Sequence, residues 1–65
     1  MTDLYIAEVM AADSIIEQLY NTKPTLNDVS YHVQLEAKRL NPSDIFEYMR
    51  ADVCMRMRVI EQLGL

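Results

Sequence analysis

The chain has 65 residues, 51% of them hydrophobic, with a single cysteine, so it is one small domain that folds without an internal disulfide. A net charge of −4 without a basic stripe argues against phosphate or anionic-membrane binding, and no run of about 20 apolar residues is present to cross a bilayer. Met1-Thr2-Asp3 offers neither a positive region nor an apolar run, so no signal peptide is expected, and the lone thiol of Cys54 fits a reducing, cytoplasmic setting. A domain of this size buries only about 60% of its unfolded surface, which leaves close helix packing or self-association as its routes to stability.

Charge is unevenly distributed. Residues 1–22 carry Asp3, Glu8, Asp13 and Glu17 with no Lys or Arg, whereas the six cations all follow. The helix breakers are confined to Asn21-Thr22-Lys23-Pro24 and Asn41-Pro42, so three helical segments are predicted, over about 3–20, 26–40 and 42–63.

In the first segment Thr2 is placed to cap, Asp3 lies in the first turn where a negative charge suits the helix dipole, and Met1 and Ile6 have the spacing of a hydrophobic staple. At 100° per residue Tyr5, Val9, Ala12, Ile15, Ile16, Leu19 and Tyr20 share a face, predicted to be the core side. The second segment opens on Thr25 and Asp28, a capping box with Asp in place of Glu or Gln. Its main stripe is Leu26, Val29, Val33, Ala37 and Leu40, while Tyr31 and Leu35 form a second one, so this helix is expected to touch two neighbours. Lys38 and Arg39 occupy its last turn, where cations suit the dipole.

The third segment is the longest. Asn41 as cap, Pro42 at the first helical position and Asp44 two residues on predict its start, and Gly64 its end. Phe46, Met49, Val53, Arg56, Ile60 and Leu63 follow a 3-4-3-4-3 spacing, a heptad seam widened by Ile45, Tyr48, Met57 and Val59. Its length exceeds what two shorter helices cover, and Val59, Ile60, Leu63 and Leu65 make a costly tail to leave in water, so a homodimer through this helix is expected. Asp52 and Arg56, four residues apart beside the seam, are candidates for an interfacial pair.

Motifs for catalysis are missing: there is no Gly-rich phosphate loop, no cysteine pair for zinc, and no Ser/His/Asp spacing of note. No enzyme activity, cofactor or metal is expected. The most metal-like feature is Asp28, His32 and Glu36 along one helix, which weak contacts between exposed neighbours explain equally. Cys54 lies between Arg50 and Arg58, a setting that favours a thiolate. Met49, Met55 and Met57 are expected in the core, and the four tyrosines at its edge with hydroxyls reaching water. A helix-turn-helix at the second junction is geometrically open, but Glu47–Arg50 and Arg58–Glu61 have the spacing of ordinary surface pairs.

The expected fold is therefore all-α, a small three-helix bundle whose long C-terminal helix pairs across a two-fold axis through Phe46, Met49, Asp52, Val53, Arg56, Ile60 and Leu63. The expected function is a non-enzymatic protein-interaction module, an adaptor or inhibitor that occludes a larger partner. Tiny acidic proteins of this kind are often regulators, phage-type inhibitors of host factors among them. Asp3, Ile6, Met10, Asp13 and Glu17 form the candidate partner face, apolar at its centre with an acidic rim suited to a basic surface. A small transcriptional regulator is the alternative, and a redox or metal-binding helical protein the third.

Overall fold

The computed structural model describes residues 5–65, and over them the chain forms three α-helices: α1 (Ile6–Leu19), α2 (Leu26–Arg39) and α3 (Ile45–Leu63). Among the described residues no strand is present, and the helices pack pairwise as a bundle in which α3 contacts both of the others.

The start of α1 differs from the sequence expectation. The Thr2 cap, Asp3 and the Met1–Ile6 staple fall on or depend on residues outside the described range; the described helix opens at Tyr5, whose carbonyl accepts Val9 N–H at 3.0 Å. Glu8 turns back to accept the Tyr5 N–H at 3.2 Å, which satisfies a donor that the first helical turn would otherwise leave unpaired. At the other end Thr22 donates from both its backbone N–H (3.1 Å) and its hydroxyl (2.9 Å) to the Leu19 carbonyl. Lys23 then adopts φ +53°, a left-handed residue that swings the chain toward α2.

The capping box of α2 forms as expected. Thr25 N–H donates to Asp28 Oδ2 at 2.9 Å, and Asp28 N–H donates to Thr25 Oγ1 at 3.3 Å. The following junction is assembled differently. Asn41 does not cap α3; it ends α2, with φ +55° and its N–H on the Lys38 carbonyl at 3.2 Å. Asparagine tolerates the left-handed region better than most residues, so it serves where glycine usually does. Asp44 is the cap, its Oδ1 accepting the Glu47 N–H at 2.8 Å, and Pro42 lies in the connection. Gly64, at φ +72°, closes α3 with a Schellman pair: Gly64 N–H to Glu61 O at 3.3 Å and Leu65 N–H to Ile60 O at 3.0 Å.

The core is built from small residues around a few larger ones. Ala11, Ala12, Ile15 and Leu19 come from α1, Val29, Val33 and Ala37 from α2, and Ala51, Met55 and Val59 from α3. Alanines on all three helices let the backbones approach, which is how so short a chain encloses side chains completely. Ile16, Leu40, Tyr48, Ile60 and Leu63 close the edges.

Several predicted core positions are outside it. Tyr5 and Tyr20 at the two ends of α1, Leu26, Tyr31 and Leu35 of α2, and Met49 and Met57 of α3 are exposed. Of the three clustered methionines only Met55 is buried, and of the tyrosines only Tyr48 packs on the core. The second stripe of α2, Tyr31 and Leu35, stays outside the described core. The C-terminal tail of α3 is not an overhang either, since Val59 is fully enclosed and Ile60 and Leu63 pack beside it; only Leu65 is exposed. The length of α3 therefore gives no reason for a second chain.

Candidate interaction surfaces

Glu8 is the one charged residue in the described interior, 4% exposed on the inner face of α1. Its carboxylate accepts from both terminal nitrogens of Arg50 on α3, 3.1 Å for Nη1 to Oε1, and the same guanidinium reaches Glu47 Oε1 at 3.1 Å. Arg50 also lies over the Tyr5 ring, 4.4 Å from its centroid, a cation–π contact. Hydrogen bonding to Glu8, and then to Glu47, raises the Arg50 pKa above its ordinary value. Its Nε is buried without a partner, so the guanidinium is anchored by its two outer nitrogens. This cluster ties the entrance of α1 to the first turns of α3. The sequence signal for it is Glu8 itself: at 100° per residue it falls among Ala12, Ile15 and Leu19, and an acid on an apolar face calls for a cation from another element.

The other arginines of α3 are also engaged. Arg58 reaches Asp13 of α1 (Nη2 to Oδ1, 3.2 Å), a pairing that replaces the expected Arg58–Glu61 contact. Arg56 forms a bidentate pair with Asp52, both bonds at 3.1 Å, and crosses to the hydroxyl of Ser30 on α2. The Asp52–Arg56 pair thus sits at the α2–α3 boundary. With Arg50, Arg56 and Arg58 all committed to carboxylates, α3 presents little free positive charge to a nucleic-acid backbone. Cys54 is half-buried, and the two arginines that flank it in sequence, Arg50 and Arg58, are both paired with carboxylates. On α2, Asp28 caps the helix, Glu36 pairs with Arg39 at 2.8 Å and His32 makes an edge contact with Tyr31. No group of three potential metal-ligating side chains converges among the described residues.

Two exposed apolar rows, one on α1 and one on α3, bear on the candidate sites. On the outward side of α1, Ile6 and Met10 are 80% and 67% exposed, in a row with Asp13 and Glu17. Asp3, the remaining member of the candidate partner face, lies outside the described residues. An open groove of about 540 Å³ begins at the Asp13–Glu17 end of this row, away from Ile6 and Met10, and is lined by Asp13, Ile16, Glu17, Tyr20, Arg58 and Gln62 among others. Asp13 shares its charge with Arg58, so Glu17 carries most of the free negative charge there. A smaller cleft of about 230 Å³, where the start of α1 meets the α2–α3 junction, is bordered by Glu8 and Glu47.

On α3, Phe46, Met49, Val53 and Met57 are 78%, 55%, 52% and 65% exposed. At 100° per residue they fall on the side directly opposite Ala51, Met55 and Val59. The predicted seam is therefore split: Phe46, Met49 and Val53 are free, Ile60 and Leu63 border the core, and Arg56 turns to α2. Met57, read from the sequence as a flank, is a full member of the exposed stripe. No described helix is long and apolar enough to cross a membrane. No protein-family model, curated protein or solved structure matches this chain.

Proposed function

We propose that the chain is a non-enzymatic protein-interaction module, a small helical adaptor or inhibitor that self-associates through α3 and uses α1 to cover a basic surface on a larger partner. The observation that supports it is the outward row of α1. Ile6 and Met10 protrude from a helix whose inner face is packed, in one row with Asp13 and Glu17, which border a groove farther along α1. Apolar side chains exposed in a row on a folded domain gain by burial against another protein, and an acidic border selects a basic counterpart. A reducing, cytoplasmic setting belongs to the same reading and rests on the single, half-buried Cys54.

The test is affinity capture with immobilised protein, comparing wild type with Met10→Arg and Glu17→Lys. Both positions are exposed, so both variants should keep the wild-type helix signal. The expected result is a discrete partner retained by wild type, lost with either variant, and retained by Tyr31→Ala on the outer side of α2. Identical captured proteins from wild type and both α1 variants would refute the assignment of this face. The transcriptional-regulator alternative predicts steep salt-dependent binding to duplex DNA, and the paired state of the α3 arginines weighs against it.

A further inference from the structure

One row on the outward side of α3, four exposed residues and one half-buried, has a symmetry that the heptad reading concealed; Ile45, also exposed, lies about 80° away from it. Phe46, Met49, Val53, Met57 and the edge residue Ile60 are spaced 3, 4, 4 and 3, which reads the same from either end of the helix. Val53 is the centre. We infer that two copies of this chain pair through α3 in antiparallel orientation, with the two-fold axis passing beside Val53. The inference rests on the self-association part of the reading above and supplies its geometry.

Antiparallel pairing about Val53 sets each Val53 against its counterpart, each Met49 against Met57 of the other copy, and each Phe46 against Ile60. A large aromatic residue then meets a β-branched one that is already half covered, and two flexible thioethers meet each other. In parallel pairing Phe46 would instead face its own copy at one end, leaving the smaller residues together at the other. The stripe stays within about 40° of its mean direction over 14 residues, or ~21 Å, so a straight helix can use all of it without supercoiling.

Area and charge support a second copy as the occupant. The exposed portions of these residues amount to roughly 500 Å² per copy, so complete coverage of the row on both copies removes at most about 1,000 Å² from water, the lower bound for a specific interface. The cations flanking the stripe are not free: Arg50 on one side is held by Glu8 and Glu47, which leaves one net negative charge there, and Arg56 on the other is paired with Asp52. Repulsion between copies is therefore confined to carboxylates on the Arg50 side of the stripe, where solvent and salt screen it.

Sedimentation equilibrium and cysteine cross-linking together test this. Wild type is expected to dimerise, and Val53→Glu, which sets two carboxylates together at the axis, should raise the dissociation constant at least ~100-fold while the helix signal is kept. In a Cys54→Ser background, a mixture of Met49→Cys and Met57→Cys proteins should oxidise to the mixed disulfide. Met49→Cys alone should not, because its two copies lie about 12 Å apart along the axis, beyond disulfide reach. A disulfide formed readily by Met49→Cys alone would overturn the antiparallel register while leaving self-association intact. A dimer that Val53→Glu leaves unchanged would place the interface elsewhere. A wild-type chain monomeric at every concentration would overturn the self-association reading itself.

Discussion

Arg50→Ala offers the sharpest test of how the bundle is held together. The substitution removes both guanidinium hydrogen bonds from a carboxylate that is 4% exposed. Breaking a fully enclosed ion pair in this way costs ~3–5 kcal/mol; the Arg50 side chain is 22% exposed, so water can enter the vacated space and about 2–3 kcal/mol is expected. Glu8→Ala is milder. It forfeits the bond to the Tyr5 N–H, but Arg50 keeps Glu47 at 3.1 Å and its access to water, so about 1–1.5 kcal/mol is expected. The double variant no longer contains an abandoned carboxylate and should be no less stable than Arg50→Ala, well short of the sum of the two single losses. A 65-residue domain has about 3–10 kcal/mol to lose, so all three transitions remain measurable. Urea titration followed by helix circular dichroism, at one protein concentration and with the oligomeric state of each variant checked, gives the cycle. Equal losses from the two single variants, or simple additivity in the double, would refute the claim that Glu8 depends on Arg50.

Further substitutions probe the packing and the helix ends. Met55→Ala should cost about 2–4 kcal/mol at any concentration, whereas Met57→Ala in dilute protein should stay within about 0.5 kcal/mol, because only Met55 is enclosed. Asp44→Ala removes the cap of α3 and should cost about 1 kcal/mol by denaturant titration, while Asn41→Gly, at a left-handed position, should be neutral or slightly stabilising. The reverse holds at the other end of α3, where Gly64→Ala places a β-carbon at φ +72° and should lower stability by about 1 kcal/mol.

The local features were legible because they depend on residues close in sequence. The three helices, the Thr25–Asp28 box, the closing role of Gly64 and the Glu47–Arg50 and Asp52–Arg56 pairs all arise within four or five residues. The second junction was misread for a local reason as well. Both Asn41 and Asp44 are good caps, and which of them starts α3 depends on whether α2 ends in a left-handed residue. Of the candidate sites, the outward position of Ile6 and Met10 followed from the period of α1, whereas the coupling of Asp13 to Arg58, 45 residues away, did not.

What the sequence by itself determined was that the chain is helical, where it turns, and that α3 carries large apolar side chains on more than one side. Only the tertiary structure decided which side is covered. Apolar periodicity weights a stripe by the size of its side chains, so it favours Phe46, Met49 and Val53, yet three short helices meet closely only where side chains are small. Ala51, buried in the same cluster as Ala12 and Ala37, therefore directs the core to the Met55–Val59 side and turns the larger residues outward. Partner choice among charges has the same origin. An arginine among several carboxylates at local spacing has no preference until packing brings one of them, Glu8, out of water beside it.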